Sequence, residues 1–323
     1  MRDKMNVGML LLAISLASCF GTASCKTNKS SETSSASAAT QTQAPSQSGL
    51  EKQRQDTQQQ ARPEVENQRK SLEEEATKTL DQDAITVIAD TRKAIDQIAA
   101  GKTDEALAAI EQATGKINIL LARNPATAFI PLSAEVDVID IAPHDTKAIR
   151  TIAQEATAAA EVKDFPAARV LLYTLTSEIR SRTYNLPLAT YPEALKEAAR
   201  LLDQKKTQDA SKVLLTALNT LVVVDKVTPL PLVLAREAVR TAKEQSQKDK
   251  VLAQALVQTA KEEIERSKEL GYVARAPEYE ALNSDISTLE KQLKKNEDST
   301  SVFAKLEDKL SAFLKRQSQQ ERR

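Results

Sequence analysis

The sequence predicts a mainly α-helical protein made of antiparallel helical hairpins, with a small two-stranded β element and a flexible N-terminal tether. The chain of 323 residues is 41% apolar and 28% charged but has only 6 glycines, a composition typical of packed amphipathic helices. Tryptophan is absent, so aliphatic residues and alanine must form most of the core. Apolar residues recur at helical spacing along most of the chain, and two short β-branched stretches interrupt them.

The first 18 residues are typical of a lipoprotein signal peptide. Two basic residues precede a short apolar run, and Leu16-Ala17-Ser18 then leads to Cys19 in a sequence that resembles a bacterial lipobox. Cys19 is therefore the expected lipidation site. Cys25 is the alternative, because a second and poorer lipobox precedes it and cleavage there would leave no orphan thiol. An ordinary secretory signal is a third interpretation, and all three predict a mature protein outside the cytoplasm.

Composition divides the rest of the chain into three parts. Residues 19–50 are rich in Ser, Thr, Ala and Gln without apolar periodicity, which predicts a disordered polar tether. Residues 51–275 form the expected helical body, and residues 276–323 a helical extension.

Long helices are expected at both ends of the body. An apolar stripe predicts one helix from Pro63 to Ala100, and another is expected from Pro231 to Leu270, with Gly271 just beyond its C-terminus. Asp145 is the expected N-cap of a helix that begins at Thr146.

The extension is expected to form two helices. The first opens near Pro277, and Ser301 is the expected N-cap of the second. The narrow stripe of Ile286, Leu289 and Leu293 fits a helical tail or a coiled-coil contact better than a packed core helix.

A weak repeat within the body predicts three helical hairpins. The segments that begin at Gly101, Val162 and Lys205 each place a lysine four residues before an alanine, and an apolar residue follows four residues later. Alanine at such a position lets two antiparallel helices approach closely. The unequal spacing of the three segments argues against a regular solenoid.

Two stretches change from helical to strand periodicity. Residues 135–141 nearly alternate between acidic and apolar side chains, and residues 221–227 are rich in valine. The simplest arrangement pairs these two strands with each other.

The residue inventory excludes several kinds of chemistry. Basic and acidic residues balance at 45 each, which argues against nucleic-acid binding. Both cysteines lie in the leader, and His144 is the only histidine, so the body has no thiol nucleophile and no set of histidine and cysteine ligands for a metal. The sequence predicts a protein without a catalytic site, cofactor or metal. His144 is expected to be exposed, with titration in mild acid as the alternative.

An unusual apolar segment at residues 184–192 breaks the helical pattern. Its two prolines force an extended chain, with helix expected to resume at Pro192. Its apolar side chains either pack inside the protein as a structural crossover or line a groove for a ligand or partner. The candidate groove residues are Tyr184, Asn185, Leu188 and Tyr191.

Three segments carry a resemblance to a known family. They are residues 185–192 (Asn-Leu-Pro-Leu-Ala-Thr-Tyr-Pro), residues 101–107 followed by 113–116, and residues 218–223 leading to 229–232. In this order they resemble the YfdX family, over roughly residues 60–275. The resemblance implies an exported, largely helical bacterial protein associated with stress and acid response, with no catalytic residues to transfer. The lipobox-like leader and tether depart from the simpler members of the family.

The expected function is therefore noncatalytic. A protein tethered to a membrane by a lipid anchor, in the periplasm or cell envelope, would bind a polypeptide or small ligand during envelope or acid stress. The alternative is a structural subunit without a ligand pocket, which would self-assemble into a homo-oligomer through its C-terminal helices.

Overall fold

A computed structural model describes residues 47–273, 276–319 and 321–322. The helices of these residues are α1 (Gln47–Lys78), α2 (Gln82–Ala99), α3 (Thr103–Arg123), α4 (Thr146–Glu161), α5 (Phe165–Tyr173), α6 (Tyr191–Asp203), α7 (Thr207–Leu218), α8 (Leu230–Gln245), α9 (Lys250–Glu269), α10 (Ala276–Lys295) and α11 (Thr300–Gln319). The strands are β1 (Phe129–Asp140), β2 (Ser177–Pro187), β3 (Val222–Pro229) and β4 (Glu321–Arg322). The mainly helical fold class is confirmed.

A helix–helix–strand unit occurs three times in succession. Hairpin I consists of α2 and α3 and leads to β1, hairpin II consists of α4 and α5 and leads to β2, and hairpin III consists of α6 and α7 and leads to β3. The three expected hairpins are therefore confirmed, and each is followed by a strand of one common sheet.

The joint of each hairpin has the same backbone geometry. Gly101, Lys163 and Lys205 have φ angles of 74°, 63° and 61°. In each joint the residue that follows donates its N–H to a carbonyl in the last turn of the preceding helix, as in Lys102 N to Gln97 O at 2.9 Å. Such left-handed residues close a helix in a Schellman motif and release the chain into the next helix.

The shared geometry corrects the alignment of the second repeat by one residue. Gly101, Lys163 and Lys205 are equivalent, so Ala168 rather than Ala167 matches Ala106 and Ala210. All three of these alanines are buried where the two helices of a hairpin meet.

The sheet differs from the expected two-stranded element. β2 lies in the centre and pairs antiparallel with β1 on one side and with β3 on the other, while the two-residue β4 pairs with β3. The expected strands near 135–141 and 221–227 exist, but their direct pairing is wrong. The pattern of β2 was missed because its middle carries Arg180 and Arg182, which pair with Glu178 of β2 and Asp225 of β3.

Three hydrophobic clusters hold these elements together. The first joins hairpins I and III, where α3 packs against α6 and α2 packs against α7, with apolar residues from the ends of β1 and β2. The second joins α8, α9, α10 and α11, and the third joins α1 and α8 to the sheet. Burial of this aliphatic surface is the main stabilising contribution to the fold.

Several expected helix boundaries need correction. The helix expected from Pro63 to Ala100 is two helices, since Asp81 caps a new helix by accepting hydrogen bonds from the Asp83 and Ala84 N–H groups. Pro63 lies inside α1, which begins at residue 47, within the segment expected to be a tether. The helix expected from 231 to 270 also breaks, with Asp249 capping α9.

The remaining helix ends agree more closely with the sequence. Asp145 caps α4 as expected, and Gly271 has a φ of 80° just after α9. Pro277 is the second residue of α10. Ser301 lies inside α11, so its expected capping role is wrong, and Asp298 accepts a hydrogen bond from the Thr300 N–H instead.

The C-terminal helices belong to the core. Ile286, Leu289 and Leu293 are buried in the second cluster, where α10 packs against α9 and α11. The interpretation of this stripe as a tail or coiled-coil contact is therefore wrong, because the same chain already covers it.

Candidate functional site

The structure places the four candidate groove residues inside the protein or on its sheet. Leu188 and Tyr191 are buried in the first cluster, and Asn185 is buried in β2, where its side-chain amide donates to the Thr183 and Val222 carbonyls at 3.1 Å. Tyr184 is half-buried on the same strand. The groove interpretation of Asn185, Leu188 and Tyr191 is therefore wrong, and the segment is a packed crossover from β2 to α6.

Tyr191 is the anchor of this crossover. Its hydroxyl donates to Thr91 Oγ1 at 3.0 Å, and Thr91 in turn donates to the Val87 carbonyl at 2.7 Å. Burial raises the pKa of the Tyr191 hydroxyl to about 12, while the Thr91 hydrogen bond and the charge of Arg92 oppose the shift. The side chain is a structural tie between hairpins I and III.

The remaining candidate residues are the two cysteines and His144. Cys19 and Cys25 lie outside the described residues. His144 is exposed beside the start of α4, and its Nδ1 lies 3.9 Å from Glu263 Oε1 on α9. This carboxylate belongs to α9, more than 100 positions away from His144 in the chain.

An open apolar groove lies between the two C-terminal helices. α10 and α11 run antiparallel, since Glu278 near the start of α10 pairs with Arg316 near the end of α11 at 3.1 Å. The α10–α11 groove has a volume of about 580 Å³. It is lined by Glu278, Ala281, Leu282, Lys309, Ala312, Phe313, Lys315, Arg316 and Gln319.

The floor and rim of the α10–α11 groove differ in chemistry. Ala281, Leu282, Ala312 and Phe313 supply an apolar floor, and the two alanines leave the space that a larger side chain would fill. The rim carries three basic side chains and one acidic side chain, so its charge is positive. The Arg316 guanidinium also lies 5.5 Å from the centre of the Phe313 ring, which holds it over the groove.

A buried carboxylate fixes one edge of the rim. Asp285 accepts hydrogen bonds from Lys305, at 2.8 Å, and from Lys309. Burial alone would raise the pKa of Asp285, but the two lysines outweigh it and hold the pKa below its ordinary value. Asp285 therefore stays charged at neutral and mildly acidic pH, and it keeps Lys309 in position.

The packing of the two helices explains why the groove is open. Leu306, Leu310 and Phe313 point from α11 into the second cluster, and Leu282 and Ile286 do so from α10. The helices meet through these rows and turn back at Asn296, which has a φ of 57°. Near the start of α10 and the end of α11, the small side chains of Ala281 and Ala312 line the space between the two helices. The helix surfaces therefore do not close there.

No described helix is long and apolar enough to cross a membrane. Within the described ranges, acidic, histidine and cysteine side chains form no group of three or more that could hold a metal ion.

Comparison with known proteins identifies the part of the chain that holds the three hairpins. A model of the YfdX protein family matches residues 87–227. These residues form a YfdX domain. The domain begins within α2 and ends within β3. It is therefore shorter than the range of roughly 60–275 over which the sequence resembles the family.

One solved structure similar to this chain is a crystal form of Salmonella Typhi YfdX. The two are 16% identical, with a TM-score of 0.32, and the similarity covers 47% of this chain and 93% of that one. No curated protein matches the chain. The α10–α11 groove lies outside the YfdX domain.

The sequence pointed to the wrong surface for a simple reason. Tyrosines and prolines in an irregular segment are features of both pockets and cores, and burial decides between them. The groove residues carry a weaker signal, namely alanines on facing sides of two helices whose neighbours are basic. That signal has meaning only once the register of α10 against α11 is known.

Proposed function

We propose that this protein is a noncatalytic binding protein of the cell envelope, held at a membrane by lipidation of Cys19 or, alternatively, Cys25. It acts in envelope or acid stress and binds an amphiphilic anion, a small molecule with an apolar chain and an acidic head group, in the α10–α11 groove. The observation that supports this ligand is the combination of an apolar floor and a positively charged rim in one groove.

The size and chemistry of the groove favour a small ligand over a polypeptide. A volume of about 580 Å³ lies within the usual range of small-molecule sites, about 300–1,000 Å³. Leu282 and Phe313 would contact the apolar chain. Lys315 and Arg316 would contact the acidic head group, and their aliphatic stems would extend the apolar wall.

The cellular setting rests on the YfdX domain and on the leader. The family resemblance implies export and a role in stress, and the lipobox-like leader supports attachment to a membrane. Retention of charge by Asp285 supports a site that keeps its shape in mild acid.

Displacement of a fluorescent fatty acid tests the ligand. Dansyl-undecanoic acid should bind the full-length chain and be displaced by unlabelled fatty acid. Ala312→Trp should reduce its affinity at least about tenfold by filling the floor, and Lys315→Glu should reduce it several-fold by reversing a rim charge. Binding should persist at pH 5.

Matched variants on the same two helices serve as controls. Ala304→Trp places the same bulk on an exposed site of α11 outside the groove, and Lys291→Glu places the same charge change on an exposed site of α10. Equal binding by all four variants would contradict the ligand site. Loss of binding at pH 5 in the unchanged protein would contradict a role in acid stress.

A further inference from the structure

Strand β1 forms one edge of the sheet. β2 pairs with it along its whole length, and no described strand pairs with its outer side. α2 covers the first part of this outer edge, where the Asp81 N–H donates to the Pro131 carbonyl at 3.0 Å. An uncovered edge presents backbone donors and acceptors to any other extended chain.

The pairing with β2 shows which backbone groups of β1 point outwards. The Ile141 N–H donates to the Thr176 carbonyl at 3.0 Å, just beyond the last pair of the ladder. Since hydrogen-bonded and non-hydrogen-bonded pairs alternate in an antiparallel ladder, the odd-numbered residues from 133 to 139 bond to β2. The outward-pointing N–H and C=O groups belong to Ala134, Val136, Val138 and Asp140. Among the described residues, no backbone group bonds to any of them.

The two faces of β1 beside this edge differ in chemistry. The even-numbered side chains face α1 and α8, since Val136 is buried with residues of both helices in the third cluster. The odd-numbered side chains point to the opposite face, because successive side chains of a strand alternate. Glu135 and Asp137 are exposed there.

The charges of Glu135 and Asp137 are not neutralised by the neighbouring strand. Arg182 lies opposite Glu135, and Arg180 lies opposite Asp137. Arg180 instead pairs with a carboxylate of β2 at 2.6 Å, and Arg182 pairs with one of β3 at 2.9 Å. The edge is therefore negatively charged on this face, which favours a partner with basic side chains.

An apolar cavity adjoins the same edge on the face that α1 and α8 cover. Its volume is about 420 Å³, and it lies between α1, α8 and the end of β1. Val138 lines the cavity and is 40% exposed, so the cavity opens at the edge. The other apolar lining residues are Val65, Leu230 and Leu234.

We propose that the outer edge of β1, from Ala134 to Asp140, binds an extended polypeptide segment in which apolar and basic residues alternate. The segment adds a strand to the sheet through the outward-pointing backbone groups. Its apolar side chains enter the cavity beside Val138, and its basic side chains lie next to Glu135 and Asp137. The period of two in a strand matches the two different faces of the edge.

The acidic side chains argue against a second copy of β1 as the occupant. Two β1 strands paired about a two-fold axis would bring Glu135 and Asp137 of one copy beside the same residues of the other. Like charges on facing strands destabilise the pair. A basic segment is instead attracted by these charges.

A labelled synthetic peptide tests the strand addition. Fluorescein-labelled Lys-Val-Lys-Val-Lys-Val-Lys should bind the purified full-length chain, as measured by fluorescence anisotropy. The peptide Val-Val-Val-Lys-Lys-Lys-Lys has the same composition without the alternation. It should bind at least about tenfold more weakly, because its side chains do not match the two faces.

Methylation of the peptide backbone separates strand addition from simple charge attraction. In an antiparallel addition the valine N–H groups bond to β1, and in a parallel addition the lysine N–H groups do so. Methylating one of these two sets should abolish binding, and methylating the other should leave it unchanged. Equal affinities of the two methylated peptides would overturn the proposal.

A proline at an outward-pointing position tests the edge itself. Val138→Pro removes an N–H that β2 does not use, and edge strands tolerate proline at such positions. The variant should bind the alternating peptide at least about tenfold more weakly, because the ladder loses a donor and the ring obstructs the edge. An affinity equal to that of the unchanged chain would contradict the site.

Val223→Pro is the matched control on the other side of the sheet. Val223 lies opposite Tyr184, which bonds to β1, so the backbone of Val223 also points away from β2. Both valines are 40% exposed. Val223→Pro should bind the peptide like the unchanged chain, and circular dichroism should show that both variants fold.

Removal of the two charges tests the preference for basic residues. Glu135→Gln combined with Asp137→Asn should weaken binding several-fold, because the attraction to the lysines is lost. Glu111→Gln combined with Asp203→Asn is the control, since it makes the same change of net charge at exposed sites elsewhere. Equal affinities of the two double variants would contradict the assigned partner chemistry.

The peptide experiment is independent of the fatty-acid displacement experiment. Ala312→Trp should leave peptide binding unchanged, because the α10–α11 groove is a separate surface with a positively charged rim. If the unchanged chain bound no alternating peptide, the edge would be covered by the chain's own N-terminal residues or would have no partner, and the proposal would be overturned. That result would leave the fatty-acid site unaffected.

Discussion

At the scale of single residues, Tyr191 shows how one polar atom is accommodated in an aliphatic core. Its ring lies in the first cluster and its hydroxyl donates to Thr91, which itself donates to a backbone carbonyl. The buried hydroxyls of Tyr191 and Thr91 therefore each donate to an acceptor, as buried polar groups require.

Tyr191→Phe should lower the free energy of unfolding at pH 7 by about 1 kcal/mol, the usual net contribution of one hydrogen bond. Thr91 keeps its bond to the Val87 carbonyl, so no donor is orphaned. Chemical denaturation at pH 7 would measure the difference. Tyr173→Phe, which changes an exposed phenol, is the matched control.

Tyr191→Phe should also change how the free energy of unfolding depends on pH in alkali. The pKa of Tyr191 is raised from 10.0 to about 12, so its neutral form contributes stability that is present below pH 10 and lost as the pH rises towards 12. Two pKa units correspond to about 2–3 kcal/mol. Tyr191→Phe should therefore lose less stability than the unchanged protein between pH 10 and 12, and an equal loss in both would contradict the assigned burial.

A second buried polar residue, Arg266, ties α9 to the start of hairpin II. Its guanidinium donates to the Ala142 carbonyl and to Asp140 at 2.8 Å, and to the Pro143 carbonyl at 3.1 Å. Nothing in the local sequence distinguished this arginine from exposed ones, because these partners lie more than 100 positions away in the chain.

At the scale of elements, the helices follow from local sequence more reliably than the strands do. Caps such as Asp145 and stop residues such as Gly271 act within one or two turns, so their signals are readable. β2 has no such signal. Its charged middle is stabilised by ion pairs such as Arg182 with Asp225 of β3, which also lower the pKa of Asp225.

The C-terminal helices give an element-scale prediction. Leu306 of α11 is fully buried in the second cluster, so Leu306→Ala should destabilise the protein by about 2–5 kcal/mol. Thermal unfolding would measure the loss. Ser311→Ala, an exposed site on the same helix, should have little effect. If both variants melted like the unchanged protein, α11 would be a loosely attached tail after all.

At the scale of the whole molecule, the proposed attachment to a membrane depends on a cysteine of the lipobox-like leader.

Labelling with a radioactive fatty acid tests this attachment. Cys19→Ser should abolish incorporation of label and release the protein from the membrane fraction, because no acceptor thiol follows the cleavage site. Cys25→Ser is the matched control and should retain the label. Labelling that is lost only with Cys25→Ser would assign the anchor to the second cysteine, and an unchanged protein that takes up no label would contradict the anchor.

By itself, the sequence determined the helical class, the three hairpins, several caps and the YfdX resemblance. These depend on composition, periodicity and local backbone preferences, which act over a few residues. Only the tertiary structure decided that residues 184–191 are a packed crossover, that β2 separates the other two strands, and that α10 and α11 belong to the core. Those outcomes depend on which distant surfaces meet, and an apolar residue carries the same sequence signal whether it faces a core, a groove or a second copy.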